Sequence, residues 1–299
     1  MAILPPYLKP GDSVALIATA RKISHEELLP SIQLIQNWGL NVVTAPNIYK
    51  QENQFAGSDN ERAADLQWAL DNENIKAVLC VRGGYGTVRI IDKIDFSKFC
   101  RNPRWIIGYS DVTVLHQHIY TNFNVATLHA TMPINFFKNE EATESLRKSL
   151  FGEELNYKVN PHHLNREGET EGELIGGNLS LIYALCGSQS DINTDGKILF
   201  IEDLDEYLYH VDRMMLNLKR SGKLAKLKGL VVGGMTDMKD NTIPFGKNAE
   251  EIIYDAVKEY NYPVCFGFPA GHIDQNLALV FGNIYSLSVS KNHIHLKIT

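Results

Sequence analysis

Cysteine is scarce, with four in 299 residues. Cys80, Cys100, Cys186 and Cys265 stand far apart, mostly inside apolar runs, and form no C-x-x-C pair. That spacing excludes a disulfide framework and points to reduced, buried thiols in a cytoplasm. Long apolar runs are missing as well, since no stretch approaches the ~18 residues a membrane-spanning helix needs. The opening "MAILPPYLKPGDSVALIATA" has prolines and a lysine ahead of its apolar run, so neither a signal peptide nor a membrane partner is expected. Charge of one sign is nowhere concentrated: the formal net charge of -6 comes from interspersed acids and bases, which argues against nucleic acid as a partner. There is no Gly-Lys-Ser/Thr phosphate loop, no H-E-x-x-H, no repeat and no low-complexity tract. No cofactor and no metal ion are expected.

What is present is an ordinary globular composition, 44% hydrophobic and 21% charged. The length suggests one large or two medium α/β domains. The first half alternates apolar strand-like runs with helical patterns, the signature of a parallel sheet with helices on its faces. "SVALIATA" (13–20) reads as the first strand. Ser24 with Glu27 forms a capping box for the helix that stops at Gly39, and Ser58 or Asp59 caps the next helix. "IKAVLCV" (75–81) and "RWIIGY" (104–109) are nearly continuous apolar runs of the kind buried on both faces.

Between 156 and 171 the chain turns polar and loses periodicity. This stretch is expected as a linker between an N-terminal domain, 1–155, and a C-terminal domain, 172–299. The expected architecture is an α/β sandwich built on a parallel sheet, followed by a smaller α+β domain that is partly barrel-like. The last segment, "YSLSVSKNHIHLKI", alternates like a half-exposed sheet edge.

In an open parallel sheet, ligands sit beyond the carboxyl ends of the strands. After "AVLCV" comes Arg82-Gly83-Gly84-Tyr85-Gly86, whose glycines leave backbone N–H groups open to a ligand. The dinucleotide spacing fails because its third small position is Arg89. After "IIG" comes Tyr109-Ser110-Asp111, where Ser110 is either the cap of a helix or a nucleophile. The hydrolase elbow G-x-S-x-G is not met, because Val112 stands where it needs a small residue. A serine needs a base, and two histidines follow apolar runs: His129 in "ATLHATMP" and His272 in "PVCFGFPAGHIDQN". An orienting carboxylate is available in Glu202 of "KILFIEDLDE", which reads equally as the start of a solvated acidic loop.

Seven segments in register, "LKPGDSVALIATA", "VRGGYGTVRIIDKIDF", "IIGYSDVTVLHQHIY", "GELIGGNLSLIYALCGS", "ILFIEDLDEYLYHVDRMMLNLKRSG", "GLVVGGM" and "FGFPAGHIDQNLALVFG", make nearly the whole chain resemble the LD-carboxypeptidase family. These are serine peptidases of murein recycling, with the microcin C immunity peptidases among their relatives. The resemblance implies a Ser-Glu-His triad of Ser110, Glu202 and His272, and an oxyanion hole from the N–H groups of Gly84 and Asp111. Arg82, Gly83 and Asn178 become candidate substrate contacts, although Asn178 is equally suited to cap a helix. The implied activity is release of D-alanine from cytoplasmic murein tetrapeptides by a protein that commonly dimerises. Cleavage of aminoacyl-nucleotide conjugates is the alternative within the family, and a non-catalytic murein-peptide binder the alternative outside it. The immunity branch carries an aromatic residue in a mid-chain loop, whereas Trp38, Trp68 and Trp105 all lie in the first half.

Overall fold

A computed structural model describes residues 2–299. In the first half, strands β1 (Ser13–Ile17), β2 (Asn41–Thr44), β3 (Ile75–Cys80), β4 (Trp105–Gly108) and β5 (Thr127–His129) alternate with helices. These helices are α1 (His25–Asn37), α2 (Asp59–Asp71), α3 (Ser97–Arg101), α4 (Thr113–Phe123) and α5 (Glu140–Phe151). The second half runs β6 (Asn156–Val159), β7 (Gly168–Asn178), α6 (Leu179–Leu185), β8 (Ile198–Leu204), α7 (Leu208–Arg220), β9 (Gly229–Thr236) and α8 (Ala249–Val257). It ends with β10 (Val264–Cys265), β11 (Leu279–Phe281), β12 (Ile284–Val289) and β13 (Ile294–Ile298). Among the described residues no helix is long and apolar enough to cross a membrane.

Local chemistry explains the helix starts. Ser24 and Glu27 exchange side-chain and backbone hydrogen bonds at the head of α1, and Ser58 does the same with Glu61 at α2. Each box satisfies two N–H groups that the first turn leaves orphaned. The first strand is shorter than its apolar run, because Ala20 and Arg21 leave the sheet to pair with Ala56 and Gly83.

The first sheet has the order β11-β5-β4-β3-β1-β2. Its five N-terminal strands are parallel, whereas β11 enters antiparallel beside β5, with Leu279 opposite His129. The first sheet is therefore completed by a strand from the second half. Its order reverses between β1 and β3, the place where doubly wound sheets open a ligand crevice.

The second sheet runs β10-β9-β8-β7-β12-β13-β6, parallel from β10 to β7 and antiparallel beyond. Residues 156–171, expected as a linker, carry β6 and the start of β7 within it. The strand was hidden because its partner β13 lies at the far end of the chain, with Val159 opposite Ile294. Farther along the same stretch, Arg166 forms an antiparallel bridge to Val264 on the opposite edge, so the sheet is partly closed on itself.

One apolar core lies between the two sheets and joins Leu16, Val78 and Ile107 to Phe200, Phe268 and Tyr285. A second fills the space between β7–β10 and helices α6–α8, with Leu199, Ile201, Met214 and Met215. Because alternate residues of β8 enter different cores, "ILFIE" reads as an unbroken apolar run, and Glu202 at its end is fully buried.

Candidate active site

Ser110 stands at the turn out of β4 with φ 64°, a left-handed conformation that costs a serine about 1–2 kcal/mol. Gly108 just before it has φ 153°, and a Cβ there would come within 2.8 Å of Val112 Cγ2. The bulk of Val112 that spoils the hydrolase pattern is thus matched by a glycine on the other side of the turn. The Ser110 hydroxyl caps no helix: α4 begins three residues later without a side-chain cap. Instead Ser110 Oγ lies 3.0 Å from His272 Nε2.

His272 Nδ1 is 2.6 Å from Glu202 Oε2, and the same oxygen accepts the His272 backbone N–H at 3.1 Å. That double contact needs Gly271, where a Cβ would meet Glu202 Oε2 at 2.6 Å. Asn276 Oδ1 accepts the Gly271 N–H at 2.7 Å, and Thr236 Oγ1 donates to the His272 carbonyl at 2.8 Å, so the loop is held on both sides. The ring of Tyr109 packs on the imidazole with centroids 4.9 Å apart. Burial pulls the His272 pKa down, but the charge and hydrogen bond of Glu202, with the charge of Asp203, outweigh it and raise the net value above the ordinary 6.5.

The N–H groups of Gly84 and Asp111 make no hydrogen bond among the described residues. The Asp111 carboxylate is turned away and buried, accepting the Thr87 N–H at 2.8 Å. Gly83 lies against the nucleophile: a Cβ on it would come within 3.1 Å of Ser110 Oγ. Gly83 and Gly84 open on a cavity of about 510 Å3, lined also by Arg21, Arg82, Tyr109, Ser110 and His272, while Asp111 lies buried just behind Ser110.

Not every sequence candidate reaches that cavity. Asn178 is 2% exposed and caps α6, its Oδ1 accepting from Leu181 N and its Nδ2 donating to Asp203 Oδ1 at 2.8 Å. Arg82 lies on the wall, tied to the Lys22 carbonyl at 3.3 Å and to Glu27 Oε1 at 3.5 Å. His129 is buried beneath Tyr109, its ring centroid 5.9 Å away, and touches neither Ser110 nor the cavity. His116 Nε2 donates to the Gly108 carbonyl at 2.9 Å; burial pulls its pKa to about 4, so the ring is neutral with its proton on Nε2. Among the described residues no group of His, Cys, Asp and Glu is arranged to hold a metal ion.

Several wall residues escaped sequence reasoning. Arg21 follows β1 and would have been found by applying the strand-end rule to the first strand. Asp205 and Glu206, just after β8, read as solvated acids but line the cavity, and Asp205 is held at φ 61°.

A strand-end serine joined through histidine to a buried glutamate is an arrangement suited to a serine-type hydrolase. Residues 14–130 match the LD-carboxypeptidase N-terminal domain, and residues 171–287 match the LD-carboxypeptidase C-terminal domain. The chain belongs to the LD-carboxypeptidase family. It is 36% identical over 288 residues to the probable murein peptide carboxypeptidase of Bacillus subtilis (strain 168), covering 93% of this chain and 89% of the relative. The crystal structure of muramoyltetrapeptide carboxypeptidase from Oxalobacter formigenes superposes with a TM-score of 0.87 at 27% identity, over 96% of this chain and 98% of the other. The microcin C7 self-immunity protein MccF, solved with aspartyl sulfamoyl adenosine, shares the fold at 21% identity and a TM-score of 0.86, over 100% and 99% of the two chains.

Proposed function

We propose that this chain is a murein tetrapeptide LD-carboxypeptidase of cytoplasmic peptidoglycan recycling, which removes the terminal D-alanine bonded to an L-centre of a diamino acid. The contact between Ser110 Oγ and His272 Nε2 at 3.0 Å carries the reading, since a binding protein has no need of that relay. The substrates named for the Bacillus and Oxalobacter relatives support the choice of peptide.

Ser110 Oγ attacks the scissile carbonyl while His272 Nε2 takes its proton, and Glu202 stabilises the imidazolium. The N–H groups of Gly84 and Asp111 stabilise the oxyanion of the tetrahedral intermediate. His272 then returns the proton to the departing amine, releasing D-alanine and leaving the peptide esterified to Ser110. Water, deprotonated by His272, attacks the ester, and the proton passes back to Ser110 Oγ.

The deciding assay offers free murein tetrapeptide and an aminoacyl-nucleotide conjugate to the protein and follows which is cut. D-alanine release is expected, and Ser110→Ala should lower it by roughly 10⁴-fold or more with the fold intact. Cleavage of the conjugate alone would move the chain to the immunity-peptidase reading.

A further inference from the structure

The reversal of strand order places the exits of β1 and β3 side by side. The β3 exit supplies Gly83 and Gly84, and the β1 exit supplies Arg21, whose backbone N–H lies 3.4 Å from the Gly83 carbonyl. The Arg21 side chain lies across Gly84, where a Cβ would come within 2.5 Å of Arg21 Cγ and 3.2 Å of its Nε. Only a glycine lets the arginine stem approach there. Gly84 has φ 120°, which independently favours glycine.

The guanidinium of Arg21 has no hydrogen bond or ion pair among the described residues, and this sets it apart on the cavity wall. Arg82 is shared with Glu27 at 3.5 Å, Asp205 with Lys239 at 2.6 Å and Glu206 with His210 at 2.5 Å. His272 is held by Glu202. Among the described residues the cavity therefore carries one cation without a counter-ion, next to a backbone donor expected at the oxyanion. A carboxypeptidase has to tell a terminal carboxylate from a continuing chain. That carboxylate is two bonds from the scissile nitrogen, so its subsite must lie within a side chain's reach of the oxyanion donors.

We infer that Arg21 forms the subsite for the α-carboxylate of the leaving residue, gripping it through paired N–H···O bonds. The inference rests on the carboxypeptidase reading and adds to it the group that makes the site select a free chain end. A planar guanidinium suits a carboxylate better than an ammonium does, because two parallel hydrogen bonds fix its orientation.

The test compares D-alanine release from the tetrapeptide acid with D-alaninamide release from its C-terminal amide, for the wild type, Arg21→Met, Arg21→Lys and Arg82→Ala. The wild type should prefer the acid by about 10- to 100-fold in kcat/KM, the range of a charge-assisted pair. Arg21→Met should lose that preference, mainly through KM on the acid, while its turnover of the amide falls far less, and a circular dichroism spectrum matching the wild type shows that it is folded. Arg21→Lys should keep part of the preference, and Arg82→Ala, even if it slows both substrates from its place on the wall, should leave their ratio unchanged. An unchanged acid-to-amide ratio in Arg21→Met overturns the assignment, as does a ratio that collapses in Arg82→Ala instead. Failure of the wild type to release either product overturns the carboxypeptidase reading, and the subsite with it.

Discussion

The half-buried Ser110 and the buried carboxylate of Glu202 meet at one imidazole, and in the proposed mechanism its ionisation sets the working pH. His272 must be neutral to accept the serine proton. Its pKa is raised by Glu202 and Asp203 against the pull of burial, so activity is lost as pH falls through a value above 6.5. We predict an acidic limb of kcat/KM above that value. Glu202→Gln removes the nearer charge, leaves burial less opposed and should move the limb to lower pH. It should also lower the plateau by roughly 10³–10⁴-fold, as when a triad loses the anion that orients its histidine. A pH–rate profile decides the point: a limb that stays in place in Glu202→Gln would show that the carboxylate does not set the histidine's pKa.

Among the elements, a buried polar bridge sets α4 against β7 and β8. The Asn178 N–H donates to Thr113 Oγ1 at 3.0 Å, in the first turn of the helix that follows Ser110. Its side chain donates to Asp203, which also accepts the Ser180 N–H at 2.8 Å and the Leu204 N–H at 2.9 Å. Burial, and secondarily the charge of Glu202, push the Asp203 carboxyl up to about 7. Asn178 therefore ties the helix that follows Ser110 to the strand that carries Glu202. Asn178→Ala should destabilise the protein by about 2–4 kcal/mol, through the lost α6 cap and a hydrogen-bond acceptor left short inside the protein. Its KM should stay within about twofold of wild type, as expected of a residue outside the cavity. Urea unfolding and steady-state kinetics measure the two effects, and a KM raised tenfold without a stability loss would return Asn178 to the substrate contacts. The sequence left cap and contact equally open at this position, because both uses require the same short amide at the end of a strand.

For the whole molecule, the two halves share one core and exchange strand β11, so they are expected to unfold together. Phe200 is the test residue: it is fully buried in the shared core, its ring 5.1 Å from His129 and 6.2 Å from Phe281. Phe200→Ala should cost about 3–5 kcal/mol and lower the midpoint of a single transition seen alike by near-ultraviolet circular dichroism and by residual activity. Two separated transitions would show instead that the halves fold independently. The same interlocking places β6 and the start of β7 inside the stretch 156–171 that reads locally as a linker. A composition shift marks where periodicity ends, yet β6 and β11 pair with strands that no local window contains.

The sequence alone determined the parallel sheet of the first half, the capping boxes of α1 and α2, and the serine and glycine loop at neighbouring strand ends. Each of these depends on residues within a few positions of one another, through side-chain periodicity, capping or the special backbone of glycine. The pairing of Ser110 with Glu202 and His272 entered through resemblance: a Pro-Ala-Gly turn with Asp274 and Asn276 close by sets His272 apart from His129 locally, but names no partner for it. Tertiary structure brought Ser110 within 3.0 Å of His272 across 162 residues of chain and left His129 walled off under Tyr109. It also folded Arg21 over Gly84, giving the cavity its unpaired cation. Such contacts arise when two sheets close on a common core, and which side chains then meet is a property of packing that no single stretch of sequence contains.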